Sequence, residues 1–203
     1  MNIKKVLLLF VAAFFIVPLH AQWAVGGKLG MNASSVNYPG DTETPDYTIM
    51  ANGGFFAEYT FHKNFSLQGE LLYMRHGYKD EVEVWENVSD GPQYLKWNVY
   101  FHDLEIPIVA KLKHKNGFNL QAGPQLDLRL KTKTQMDDIS LFPDGMGKGA
   151  PVGCSLVFGA GYEDPNGFLV DFRYILGLTT QFKDFECYQN RAFYLSVGYR
   201  FEL

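Results

Sequence analysis

Residues 193–203 read Phe-Tyr-Leu-Ser-Val-Gly-Tyr-Arg-Phe-Glu-Leu. Every odd-numbered position in this stretch carries a large apolar or aromatic side chain, whereas most even-numbered positions are small, polar or charged. Successive side chains of a β-strand point to opposite faces, so the pattern predicts a strand with one apolar face and one mainly polar face. The stretch is also long enough for a tilted strand to cross a bilayer, which takes about 9–11 residues.

The same alternation recurs upstream, and helical periodicity is nearly absent after Trp23. Two predicted strands illustrate it, since Asp171 and Arg173 oppose an apolar face, as do Glu105 and Lys111. The sequence therefore predicts eight strands in all. Their apolar faces lie within residues 25–31, 55–61, 65–73, 104–112, 118–130, 156–162, 168–176 and 193–203.

Short and long connections alternate strictly between these strands. The short ones cover residues 62–64, 113–117 and 163–167, and two of them end in Asn-Gly, which tolerates the positive φ of a tight hairpin. The long ones cover residues 34–50, 79–96, 132–151 and 179–190. This arrangement predicts an all-β fold, an eight-stranded antiparallel up-and-down transmembrane β-barrel with short periplasmic turns and long extracellular loops.

The first 21 residues have the pattern of a secretory signal peptide. Lys4 and Lys5 form a basic head, an apolar run covers residues 6–19, and the small Ala21 occupies the expected cleavage position. The run is too short to anchor the chain as a spanning helix. We expect residues 1–21 to be a signal peptide that exports the protein, and residues 22–203 to form the barrel domain.

Composition excludes several other classes of protein. The 203 residues carry a formal net charge of −4 without a basic run, which argues against a nucleic-acid binder. Aromatic residues make up 16% of the chain and are spread along it, which argues against disorder. An apolar stretch of about 18 residues, which a spanning helix would need, is absent from the sequence.

Alternation alone does not say whether the apolar face meets lipid or a water-free core, as in a soluble lipocalin-like ligand-binding barrel. The polar face favours lipid, because it carries many small residues and charges of both signs, as a crowded lumen requires. The acidic residues on this face are Glu58, Glu70, Glu105, Asp127, Asp171 and Glu202. The basic residues are Lys28, Lys111, Arg129, Arg173 and Arg200. We expect the two sets to pair inside the barrel, and we expect the protein in the cell outer membrane.

Several motifs carry a resemblance to a known family. They are GKLGMN at residues 27–32, GFFAEY at 54–59, LQGELLY at 67–73, LEIP at 104–107 followed by Lys111, Gly123-Pro124, and the strand at 193–201. Their order and spacing resemble the PorT-like outer-membrane β-barrel family typical of Bacteroidetes. The resemblance covers essentially the whole chain after residue 21 and implies an eight-stranded outer-membrane barrel. Some relatives serve secretion or gliding machinery, and the family contributes no catalytic residues.

An eight-stranded barrel encloses an interior just wide enough for side chains to fill, which makes a general porin a poor interpretation. We expect a structural, interaction or secretion-accessory role, with a narrow ion or proton path as a lesser possibility. A lipid-modifying hydrolase or acyltransferase is the alternative, with His76 and His102 near the loop ends and Asp103 and Glu81 close in sequence. A serine is not evidently placed beside them, so we expect no catalytic, cofactor or metal site.

The loops and cysteines complete the expectations. Residues 79–90 are acidic, and their alternation suggests that the third and fourth strands continue above the membrane as a hairpin. Acidic loops can bind cations, glycans or a protein, although a hydrated exterior is the simpler interpretation. Cys154 and Cys187 both fall on the loop side, where a disulfide is possible. The expected partners are outer-membrane lipids, lipopolysaccharide and a protein at the loops or turns, around a monomeric barrel that binds no nucleic acid.

Overall fold

The computed structural model describes residues 22–37, 46–84, 93–136, 150–180 and 189–203. Within these ranges, eight antiparallel strands form a closed barrel in which each strand pairs with its sequence neighbours and β1 also pairs with β8. The strands are β1 (Gln22–Asn37), β2 (Asp46–His62), β3 (Phe65–Val84), β4 (Gln93–Lys113), β5 (Phe118–Met136), β6 (Val152–Glu163), β7 (Phe168–Thr180) and β8 (Gln189–Glu202). The predicted eight-stranded up-and-down barrel is confirmed.

The three short connections lie at one end of the barrel, as predicted. Gly117 and Gly167 adopt positive φ values of 91° and 96° in the β4–β5 and β6–β7 turns. In the latter turn, the Asp164 carboxylate accepts hydrogen bonds from the Asn166 side-chain amide at 2.9 Å and from the Phe168 backbone N–H at 3.0 Å. These bonds, the one from Asn166 foremost, lower the pKa of the exposed Asp164 carboxyl below its usual range.

The strands extend further at the loop end than the sequence predicted. The connection predicted at 34–50 is wrong in its bounds, because β1 continues to Asn37 and β2 begins at Asp46. The same holds for 132–151, since β5 runs to Met136. The predicted continuation of the third and fourth strands as a hairpin is confirmed, with β3 and β4 paired up to Val84 and Gln93. Above the lipid neither strand face must be apolar, so the alternation that marks a strand fades there.

The apolar faces of the strands point outward. Leu29 and Phe55 are 72% and 74% exposed, whereas their neighbours Lys28 and Phe56 are 2% and 4% exposed and face the interior. Beside the short turns, a ring of outward aromatic side chains includes Trp23 and Tyr59, whose ring centroids are 4.9 Å apart. An apolar band with an aromatic girdle is typical of a barrel in lipid and opposite to the inward apolar face of a lipocalin-like barrel.

Three expectations involve parts of the chain outside the described ranges. The predicted signal peptide, residues 1–21, lies there, and so do residues 85–90 of the acidic segment predicted at 79–90. Cys154 is exposed on β6, but Cys187 also lies outside the described ranges, so the disulfide stays a prediction. Among the described residues, no helix is long and apolar enough to cross a membrane.

Gly123 marks a close approach between β4 and β5. A Cβ atom at this position would lie 2.0 Å from the Ile108 carbonyl oxygen and 2.8 Å from the Val109 Cα, both of them backbone atoms. Backbone cannot move aside without breaking the strand pairing. At Gly69, in contrast, an added Cβ would meet nothing within 4 Å.

We predict that Gly123→Ala destabilises the barrel by about 1–3 kcal/mol, the usual cost of forcing extra atoms into packed structure. The measurement is reversible urea unfolding in lipid vesicles, followed by tryptophan fluorescence. Gly69→Ala is the matched control and should leave the unfolding midpoint unchanged. Equal midpoints for the two variants would contradict the close approach at Gly123.

Candidate functional site: the charged lumen

Four charged side chains meet in the middle of the lumen. Lys28 from β1 donates to Glu70 of β3, with Nζ 3.1 Å from Oε1, and also to Asp171 of β7. Arg173 of β7 binds Glu70 through both terminal nitrogens, at 2.9 and 2.7 Å. Two cations therefore neutralise two carboxylates. We call Lys28, Glu70, Asp171 and Arg173 the middle layer.

The middle layer spans the full width of the barrel. Three strands separate β3 from β7 in either direction around the sheet, so the Arg173–Glu70 pair joins opposite walls. Gln121 of β5 adds to the connection, because its amide donates to Asp171 at 2.5 Å and its carbonyl accepts from Arg173 Nε at 2.9 Å. These side chains fill the lumen at this level, as expected for an eight-stranded barrel.

A second group of charges lies toward the short turns. Lys111 Nζ is 3.1 Å from Glu58 and 2.5 Å from Glu163, and Lys113 also contacts both carboxylates. Arg200 lies 3.8 Å from Glu58 at the edge of the group. Each carboxylate thus has more than one cationic partner, which a buried charge requires if it is not to destabilise the fold.

An apolar plug lies above the middle layer, toward the loops. Its members are side chains that point into the lumen and bury nearly all their surface there, namely Leu72, Met74, Val109, Val157, Ile175, Ala192 and Tyr194. The sequence predicted a polar inner face, and this apolar layer was not predicted. The sequence does indicate such a layer where apolar residues are consecutive, as at 71–74 and 174–176, because both faces of the strand are then apolar.

The loop end of the lumen is rich in carboxylates. Asp103 accepts two hydrogen bonds from Arg129, at 2.7 and 3.1 Å, and Arg129 also lies 3.9 Å from the centroid of the Phe101 ring. Asp127 accepts from Gln125 at 2.7 Å and from Ser155 at 2.5 Å. Among the described residues, no group of three His, Cys, Asp or Glu side chains is arranged to hold a metal ion.

Most of the expected charge pairing is confirmed. Glu58, Glu70 and Asp171 bind cations of the predicted set inside the barrel. Glu202 binds Arg200, but its side chain is exposed at the end of β8. Arg129 pairs with Asp103, which was outside the predicted acidic set. The expectation is wrong for Asp127, whose hydrogen bonds come from neutral side chains. Glu105 is buried, with one carboxylate oxygen that lacks a hydrogen-bond partner in the described part of the chain.

Three members of these groups were missed. Lys113 lies two residues after Lys111 and therefore on the same face, but it was assigned to a turn, as was Glu163. Asp103 lies two residues before Glu105 and therefore on the same inward face of β4, but it was considered only as a catalytic partner of the histidines. Extending the alternation by one step at each strand end would have found all three.

The two histidines lie on opposite sides of the barrel wall. His76 points inward, with Nε2 3.6 Å from Asp103, and its ring centroid is 5.3 Å from that of Phe101. His102 points outward and is hydrogen-bonded through Nδ1 to the Tyr73 hydroxyl at 2.6 Å. The structure therefore does not bring His76 and His102 together, and the side chain of Glu81 lies outside its described part.

Comparison with known families agrees with this architecture. The pattern of the outer membrane protein beta-barrel domain family matches residues 19–183 of the chain. The chain belongs to this family. Its place is the cell outer membrane. The narrower PorT-like assignment stays a prediction. A search of curated proteins found no match.

A solved structure shows the same fold at low sequence identity. Neisserial surface protein A from Neisseria is 11% identical with a TM-score of 0.54, and the alignment covers 89% of this chain and 99% of that one. Ail, the attachment invasion locus protein of Yersinia pestis, is 12% identical with a TM-score of 0.48, covering 88% and 98%.

We predict that Arg173→Met lowers the free energy of unfolding of this outer-membrane barrel by about 3–5 kcal/mol, the usual cost of breaking a buried ion pair. The substitution leaves Lys28 alone against two carboxylates. Arg173→Met combined with Glu70→Gln leaves one cation and one carboxylate, so the double variant should be more stable than the single one. Urea unfolding in lipid vesicles measures all variants.

Glu202→Gln is the control, because Glu202 is 64% exposed and pairs with Arg200 at 3.0 Å near the end of β8. Exposed pairs contribute little, so this change should stay within about 1 kcal/mol. An Arg173→Met variant as stable as Glu202→Gln would contradict the buried middle layer.

Proposed function

We propose that the protein is a non-conducting outer-membrane barrel with a structural, interaction or secretion-accessory role. The observation that carries the proposal is the Arg173–Glu70 pair, which joins opposite walls of the lumen. A passage for solutes would have to break this pair and displace the apolar plug above it. Both changes cost several kcal/mol, since they leave charges unpaired or remove buried apolar contacts.

A role on the outside of the barrel follows from the closed interior. The strands β3, β4 and β5 extend beyond their neighbours at the loop end and pair there as a sheet. A rigid sheet above the membrane is a suitable platform for a protein partner, because binding residues are often displayed on loops held by a rigid scaffold. The motifs in residues 27–73 support a place for the protein in the PorT-like group. Because some members of that group serve secretion, the partner that we propose is a component of a secretion machinery.

A lipid-modifying enzyme is the less favoured function. A hydrolase or acyltransferase of this kind needs a nucleophile activated by an adjacent base. Ser155 donates its hydroxyl to Asp127, His76 lies against Asp103, and His102 points out of the barrel. Unchanged lipid A acylation in cells that lack the gene, measured by mass spectrometry, is the result that we expect.

We predict that the purified protein gives no discrete conductance steps in planar lipid bilayers, because the middle layer and the apolar plug block the lumen. A general porin recorded in the same bilayers is the positive control. Heat-modifiable migration on a gel confirms that the inserted protein is folded. Reproducible ohmic steps from the folded protein would refute a closed lumen.

A further inference from the structure

The outward face of β3, β4 and β5 changes from apolar to basic at one level near the loop end. Below this level, the outward positions of β4 between residues 104 and 112 are Leu, Ile, Ile, Ala and Leu. The next outward position on β4 is His102. At the same level, Arg75 on β3 and Lys131 on β5 are exposed.

Strand register brings the three residues side by side. Arg75 pairs with His102, and His102 pairs with Lys131. Neighbouring strands lie about 4.8 Å apart, so the three side chains form a continuous row across the barrel surface. Lys133 adds a fourth basic group two residues further along β5. We call Arg75, His102, Lys131 and Lys133 the basic patch.

A β-bulge places both lysines on the outside. Asp103 pairs with Arg129 while His102 pairs with Lys131, so Leu130 is an extra residue in β5. Up to Arg129 the odd-numbered residues of β5 face the lumen, and after the bulge the odd-numbered Lys131 and Lys133 are exposed. A bulge re-aims the side chains that follow it. Without the bulge, the positive charge of both lysines would point into the barrel.

The charges of the patch are concentrated, and among the described side chains its three cations lack an acidic salt-bridge partner. Arg75, Lys131 and Lys133 all act electrostatically on His102. Holding like charges together costs free energy, so an anionic ligand that neutralises them would bind favourably.

The patch lies at the level of lipid headgroups. Ten residue steps along β4 separate Leu112, beside the aromatic ring at the turns, from His102. At about 3.4 Å per residue and a tilt of about 40°, this is about 26 Å along the barrel axis, close to the 25 Å height of the apolar band in such barrels. Tyr73, 44% exposed and hydrogen-bonded to His102, occupies the boundary, where amphipathic aromatic rings are favoured.

We propose that the basic patch binds the phosphorylated headgroup of lipopolysaccharide in the outer leaflet. The short turns of outer-membrane barrels face the periplasm, so the patch at the opposite end meets the outer leaflet. Arg and Lys are the usual partners of phosphate oxygens, and the outward direction of the patch points it at lipid, not at the lumen. Arg191, on β8 across the barrel, pairs with the uncharged Ser35 and Leu176, so the described strands place no comparable row of cations beside it.

The test compares two double variants that each lose two exposed lysines. Lys131→Gln with Lys133→Gln removes half of the patch, and Lys63→Gln with Lys115→Gln removes the same charge from the short turns. The proteins are reconstituted in phosphatidylcholine nanodiscs with increasing lipopolysaccharide, and bound lipopolysaccharide is counted by native mass spectrometry. The patch variant should need roughly five-fold more lipopolysaccharide for each lysine removed, and the turn variant should match the wild type.

Further arms identify the chemistry of the ligand. Lipopolysaccharide stripped of its phosphates should bind the wild type as weakly as intact lipopolysaccharide binds the patch variant. Excess inorganic phosphate should not displace intact lipopolysaccharide. The proposal is overturned if the folded patch variant binds like the wild type, if the stripped glycolipid binds equally well, or if inorganic phosphate competes fully. The result is independent of whether the lumen conducts.

Discussion

A bilayer offers no hydrogen-bond partner to the polypeptide backbone, and this constraint governs the whole structure. Each backbone N–H and C=O within the lipid must pair inside the protein, and a sheet achieves this only when its edges meet. The pairing of β1 with β8 over Ala24–Glu202 to Asn37–Gln189 closes the sheet. Closure in turn fixes one face of the sheet against lipid and the other around a narrow lumen. Apolar side chains therefore occupy the outer face, and most charged side chains occupy the inner face.

The closed lumen explains why most charged side chains on the inside lie against a side chain of opposite charge. A barrel of eight strands leaves room for side chains but for little water, so isolated charges there would be very costly. The middle layer balances two cations against two carboxylates and joins opposite walls through Arg173 and Glu70. The apolar plug adds contacts between buried apolar side chains above the middle layer. The interior contacts hold the barrel together, and the binding that we propose takes place on the outer surface.

The strand count, the topology and the two faces of the barrel could be predicted from sequence. They depend on the alternation of side chains along each strand and on the lengths of the connections, which are local features of the chain. The partners across the lumen could not be predicted. The contact between Glu70 and Arg173 depends on the stagger and tilt of the strands, which no local pattern contains. The bulge at Leu130 cannot be predicted either, because the alternation of apolar and charged residues from Leu128 to Lys131 continues through it without a break. It nevertheless decides which side of the wall receives the two lysines of the basic patch.

The central claim is that the apolar faces of the strands meet lipid while the polar faces line a filled lumen. Nitroxide labels placed one at a time from residue 193 to 197, with Cys154 and Cys187 replaced by serine, test it most directly in lipid vesicles. Accessibility to oxygen should be high at Phe193, Leu195 and Val197 and low at the two positions between them. Nickel complexes in water should reach none of the five. High nickel accessibility at the odd-numbered positions, or the loss of alternation, would contradict the account.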